Sequence, residues 1–252
     1  MNDLPELAIL DWGIGGFGLV AALQACYPGT AYTYFSDSGF TPYGKVEAGV
    51  LATRLARITQ YLQQRGVQQL VIACNAASTV APYTAWPQGL QVHDVISAAL
   101  AQCLAEPVAH LGIVGGRRTI VSRALAAPLR KAGRRVSQRI AQPLSAHIER
   151  GNLTGAGLMS DLDHILQPLR GVDGLLLACT HYPAIAPEFQ RRLPGVRLFD
   201  PVQPLLARLD TGHASKGEAR ILTTGAAAAM AHGASAAFGV SIRQEDIECV
   251  NW

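Results

Sequence analysis

Two cysteines hold the chemistry this sequence suggests. Cys74 closes the apolar run Leu70-Val71-Ile72-Ala73, and Cys179, 105 positions later, closes Leu175-Leu176-Leu177-Ala178. A free thiol titrates near ~8.5, so a modest downward shift makes it a usable base at neutral pH, and its protonated form is the matching acid. Two such groups on opposite sides of a carbon next to a carboxylate could invert it, one removing a proton while the other returns one. Asp11, Glu149 and His181 are the ionisable residues that could assist with so weak a carbon acid. Taken singly, they also read as a capping aspartate, a surface glutamate and a core histidine. Cys26 and Cys103 have no polar company, and together with Cys249 they are read as inert packing residues.

The apolar runs before Cys74 and Cys179 read as buried parallel strands, and Asn75 and Thr180 behind them are suited to capping a helix. A thiol at such a strand-to-helix turn sits near unpaired amides and the positive end of a helix dipole, which favours thiolate. Leu7-Ala8-Ile9-Leu10 predicts a first strand, followed by the turn Asp11-Trp12-Gly13-Ile14-Gly15-Gly16 and a helix from about Phe17 to Ala25. A glycine-rich turn there can approach an anion, but the spacing is not GxGxxG and argues weakly for a dinucleotide. A strand over Ala31–Phe35 leads through the loop 36–44 to a helix from about Val46 to Arg65, stopped by Gly66. A further strand is predicted over Gln91–Val95.

The pattern then restarts. Val108–Val114 predicts a strand ending in Gly115-Gly116, with a helix from about Thr119. Asp11 precedes Cys74 by 63 residues and Gly115 precedes Cys179 by 64, the signature of an internal repeat of two α/β halves. Chemistry in open parallel sheets lies beyond the carboxyl ends of the strands, so facing halves would bring both thiols to one pocket. A late strand near 219–224, an alanine-rich helix and the segment 246–250 return to complete the first half.

Composition bounds the function class. The chain has 252 residues, 49% hydrophobic and 15% charged, which fits a globular protein. Its start carries no basic region before an apolar stretch, and no apolar run approaches the ~18 residues that span a bilayer, so neither a leader nor a membrane partner is expected. Five cysteines without CxxC or zinc spacing fit reduced thiols in the cytoplasm. From Pro107 to Ile148 there is no acid, against Arg117, Arg118, Arg123, Arg130, Lys131, Arg134, Arg135 and Arg139. This stretch is read as a solvated helix face. No aromatic residue is interleaved with it, so nucleic acid is not expected as a partner.

With these motifs in place, the chain resembles the glutamate racemases and the wider aspartate/glutamate racemase superfamily. The resemblance rests on Asp11-Trp12-Gly13-Ile14-Gly15-Gly16, Pro42-Tyr43-Gly44, Cys74-Asn75-Ala76-Ala77-Ser78, Cys179-Thr180-His181-Tyr182-Pro183 and Thr223-Thr224-Gly225. It implies an α/β fold of two pseudosymmetric domains with mainly parallel sheets and the active site in the cleft between them. The domains would be 1–94 plus 204–252, and 95–203, in a family whose members often form a homodimer. It further implies a small-molecule amino acid substrate, no pyridoxal phosphate or metal, and Cys74 and Cys179 as the two bases. Asp11 would assist Cys74, His181 would assist Cys179, and Glu149 would belong to the active site. Pro42, Tyr43, Gly44, Asn75, Thr119 and Thr180 would contact substrate, beside Trp12 and Ala76.

Trp12, Ala76 and Gly116 depart from the family, which usually carries a hydroxyl residue at each of these positions. Each lost hydrogen bond to a charged group costs ~1.5–3 kcal/mol, so glutamate binding would weaken unless other groups hold it. The function expected is interconversion of L- and D-glutamate, supplying D-glutamate for peptidoglycan. The alternatives are a racemase for aspartate or another amino acid, and a non-catalytic binding or regulatory protein that keeps the fold.

Overall fold

The computed structural model describes residues 4–209 and 217–251; the first three residues, part of the start read above as leaderless, lie outside the described residues. The described residues form ten strands in chain order: β1 (Leu7–Asp11), β2 (Thr33–Ser36), β3 (Gln69–Ile72), β4 (Gln91–Asp94), β5 (His110–Gly115), β6 (Arg135–Ile140), β7 (Gly174–Ala178), β8 (Arg197–Phe199), β9 (Arg220–Thr223) and β10 (Ile247–Cys249). They form a six-stranded sheet ordered β10-β9-β2-β1-β3-β4 and a four-stranded sheet ordered β6-β5-β7-β8. Among the described residues every strand pairing is parallel. The order 2-1-3-4 in the first sheet recurs as 6-5-7-8 in the second, so β1 matches β5 and β3 matches β7.

The contiguous apolar runs have a direct cause. All five residues of β1 and all five of β7 are buried, because helices cover both faces of each sheet. The helix Ala48–Gln63 turns Leu51, Leu55, Ile58 and Leu62 inward, spaced by four, three and four residues along one stripe. Fully burying each contributes about 1.5–3 kcal/mol. Past its end Gly66 adopts φ +102, a left-handed conformation that glycine reaches without strain. Two apolar clusters flank the six-stranded sheet and two flank the four-stranded one.

The chain passes between the sheets twice, after β4 and after β8. The first passage begins at Asp94, whose carboxylate accepts the Ser97 amide (2.9 Å) and hydroxyl (2.6 Å) and caps the helix Val95–Ala105. Among the described residues no helix is long and apolar enough to cross a membrane.

The structure corrects three expectations. The basic stretch is not one helix face: it contains the short helices Arg117–Val121 and Ala126–Lys131 and the edge strand β6. The helix behind Cys74 is a single turn, Asn75–Ser78, and Cys179 is followed by the 3-10 turn Tyr182–Ile185. Cys74 itself occupies the N-cap position in place of Asn75, and Thr180 caps no helix. Cys26 and Cys249 are exposed rather than packed inside, while Cys103 is buried.

Candidate active site

In each sheet two adjacent parallel strands, β1 and β3 or β5 and β7, connect onward to opposite sides of the sheet, which opens a crevice at their carboxyl ends. Asp11 ends β1 and Cys74 lies two residues beyond β3; Gly115 ends β5 and Cys179 lies one residue beyond β7. The turn after Asp11 leans against the other half of the molecule. A β-carbon on Gly13 would come 2.5 Å from Glu149 Oε1, and one on Gly15 would come 2.8 Å from His181 Nδ1 and closer still to Thr180 Oγ1. Only glycine permits this approach. The expectation that this turn faces an anion holds in an unexpected form, since the Ile14 amide donates to the Glu149 carboxylate (3.4 Å).

Asp11 is 1% exposed. Its carboxylate accepts the Gly13 amide (3.0 Å) and, across the cleft, the Thr180 hydroxyl (3.0 Å). Burial raises its pKa, opposed by the His181 charge, the Gly13 amide and Thr180. The Cys74 thiol lies nearby. Its pKa is pushed well up, first by burial and then by the charge of Asp11, with only partial relief from the Ala77 and Trp12 amides. The expected downward pull on this thiol is therefore overturned. A four-residue turn sums too few peptide dipoles to offset this burial.

Asn75 adjoins Cys74 at 3% exposure, and neither its Oδ1 nor its Nδ2 has a hydrogen-bond partner among the described residues. Leaving a buried amide unpaired costs ~1–3 kcal/mol, a cost that a polar ligand would remove.

The opposite wall is built around a cation. His181 Nδ1 faces Cys179 Sγ at 3.7 Å, and its Nε2 is paired with the Glu149 carboxylate. Burial alone would lower the His181 pKa, but hydrogen bonds to Cys179 and Glu149 and the charge of Glu149 carry it well above the ordinary value. An imidazolium favours negative charge on a sulfur it touches. The two thiols thus have opposite company: Cys74 sits by a buried carboxyl group and Cys179 by a histidine held cationic.

Both sulfurs line one cavity of about 520 Å³, a volume within the range of small-molecule sites. Every residue singled out from the sequence lines it: Asp11, Trp12, Pro42, Tyr43, Gly44, Cys74, Asn75, Ala76, Thr119, Glu149, Cys179, Thr180 and His181. The Pro42–Gly44 wall is anchored from behind. The Tyr43 hydroxyl donates to Asp37 (2.8 Å), which also accepts two hydrogen bonds from Arg54 (2.6 and 3.0 Å) and one from Thr224 (3.0 Å). Trp12 donates its indole N–H to the Phe40 carbonyl (3.0 Å), so its ring is part of the wall rather than loose bulk.

The sequence reading missed Arg118 and Gln142, which also line the cavity. Arg118 belongs to the stretch that the sequence alone reads as a solvated face, yet its Nε donates to the Tyr43 carbonyl (2.8 Å) across the cleft. Gln142 Oε1 accepts the Arg117 amide (3.1 Å) and lies 3.0 Å from where a β-carbon on Gly116 would stand, so it occupies room that a larger residue there would need. The paired glycines at 115–116 were the only sequence signal for this space. Among the described residues no group of three or more His, Cys, Asp or Glu side chains could hold a metal ion.

Comparison with known proteins bears on the family and the fold. A family model described as Asp/Glu/hydantoin racemase matches residues 19–209. A glutamate racemase of Pseudomonas paraeruginosa is 30% identical over 254 residues, 98% of this chain and 92% of the relative. Among solved structures, glutamate racemase from Francisella tularensis in complex with D-glutamate superposes with TM-score 0.87, at 22% identity, over 100% of this chain and 98% of that one. An aspartate racemase from Picrophilus torridus gives TM-score 0.61 at 16% identity, over 82% of this chain and 92% of that one. At these identities the structural likenesses show the fold alone.

Proposed function

The chain belongs to the Asp/Glu/hydantoin racemase family, and from that premise we propose that it interconverts L- and D-glutamate by proton transfer between two thiols. The observation that carries this reading is that Cys74 and Cys179, from matched positions of the two halves, line one cavity with different ionisable partners. Cys179, beside cationic His181, acts as the base for one enantiomer: its sulfur takes the Cα proton as the C–H bond breaks. Cys74, whose thiol holds its proton tightly, acts as the acid: its S–H bond breaks as the new C–H bond forms on the opposite face. The other enantiomer is processed with the roles exchanged, each residue in the opposite protonation state.

Asn75, Thr119 and Thr180 contact the substrate beside the Pro42–Gly44 wall, and Asp11, Glu149 and His181 set the charge around the sulfurs. The two working units are 1–94 with 204–252, and 95–203. The glutamate racemase named above shares the family and nearly the whole length; by the same reading the product D-glutamate serves peptidoglycan synthesis.

The test is Cα proton exchange in deuterated water with L- and D-glutamate. The expected result is deuterium incorporation with racemisation by the wild type, and loss of racemisation in both Cys74→Ser and Cys179→Ser. Full racemisation by either variant would refute the two-thiol assignment.

A further inference from the structure

We infer that Arg118 is a specificity-determining residue whose guanidinium takes the side-chain carboxylate of the substrate. The inference rests on the racemase reading above and deepens it. Arg118 is half-buried, and desolvation lowers its pKa. Its one hydrogen bond among the described residues leaves Nε for the neutral Tyr43 carbonyl, and no carboxylate pairs with it there. A partly desolvated guanidinium with its terminal nitrogens uncommitted is suited to bidentate capture of a carboxylate.

Its position says which carboxylate. A second cavity of about 1050 Å³ adjoins the thiol-lined one, and Gly44 and Arg118 line both. Cys74 and Cys179 line the first only. With Cα held between the sulfurs, a side chain extended toward this border brings its far end to Arg118. The nearby acids do not compete for it, since Asp11 is engaged by Gly13 and Thr180 and Glu149 by His181. Trp12, Ala76 and Gly116 present no hydroxyl to the cavity, and the Arg118 head supplies the polar contact they lack. It also separates anionic side chains from neutral ones of the same shape, because an unpaired guanidinium gains far less from an amide.

The experiment compares L-glutamate with L-glutamine, its neutral isostere, and with L-aspartate and L-2-aminoadipate, one methylene shorter and longer. Wild type, Arg118→Met and Arg118→Lys are assayed by Cα deuterium exchange, and L-glutamate binding is measured by calorimetry. Arg118→Met is expected to raise KM and Kd for glutamate about ten- to hundredfold, with little change in kcat and a much smaller change for glutamine. Arg118→Lys should recover part of the glutamate preference. An equal rise in KM for glutamate and glutamine would assign Arg118 to the α-carboxylate and overturn the inference. An equal fall in kcat for all substrates would show that Arg118 merely clamps the cleft through Tyr43, and would overturn it too. Wild-type exchange that favours glutamine over glutamate would sink it while leaving the racemase intact. Exchange of none of these amino acids would sink both.

Discussion

Replacing Glu149 by Gln tests the proposed ionisation of the site most directly. Glutamine keeps the size and a hydrogen-bonding oxygen but removes the charge beside His181 Nε2. The His181 side chain is 7% exposed, so burial pulls its pKa down, and the hydrogen bonds to Cys179 and Glu149 and the Glu149 charge are what reverse that pull. A hydrogen bond to a charged group contributes ~1.5–3 kcal/mol, so losing the ionic form of this one should lower kcat/KM at neutral pH about ten- to hundredfold. The direction in pH follows. Activity that needs cationic His181 fades as pH rises through its pKa, and the variant should show this alkaline fall at lower pH than the wild type. Stability gives a second readout. A histidine with a raised folded pKa stabilises fully below its unfolded value of about 6.5, and that contribution disappears as pH climbs through the folded value. The wild type should therefore melt higher than Glu149→Gln near pH 6, with the gap closing in alkali. The assays are kcat/KM for both glutamate enantiomers against pH, and thermal melts over the same range. Superimposable pH–rate profiles, or a melting gap that ignores pH, would refute the reasoning.

Asp11 should show the opposite trade. Its carboxyl pKa is raised in the fold, first by burial, so the wild type loses stability as pH rises from about 4 through the folded value. Asp11→Asn can keep the Thr180 contact by donating to its hydroxyl, and should melt higher than the wild type at neutral pH while racemising more slowly; equal melting curves at pH 4 and a gap at pH 8 are the expected signature. Gly15→Ala should drive a methyl group into Thr180 and His181, 2.8 Å from the ring nitrogen, and cost about 1–3 kcal/mol in denaturant unfolding together with a large fall in activity. Unchanged activity in Gly15→Ala would mean the cleft is looser than this packing implies.

Much of this molecule was legible in the chain because its central strands are buried on both faces. Such strands must be continuous apolar runs, so the segments before Cys74 and Cys179 identified themselves, and the repeated offset gave the two-half α/β plan. Edge strand β6 did not identify itself. Only Val136 of its six residues is buried, and its arginines, serine and glutamine read as a helix surface. The residue types for proton transfer were likewise written in the sequence, since thiols, carboxylates and an imidazole have fixed chemistry wherever they stand. Their ionisation was not. Desolvation and charges from distant parts of the chain set it, and burial pushed the Cys74 thiol opposite to the direction its strand-end position implied. The roles of Arg118 and Gln142 were decided the same way, by which side of a short helix or loop faces the cleft once two halves of the chain close on each other. Linear order fixes which groups exist; only the packed tertiary structure fixes which are dry, which are paired, and which share one cavity.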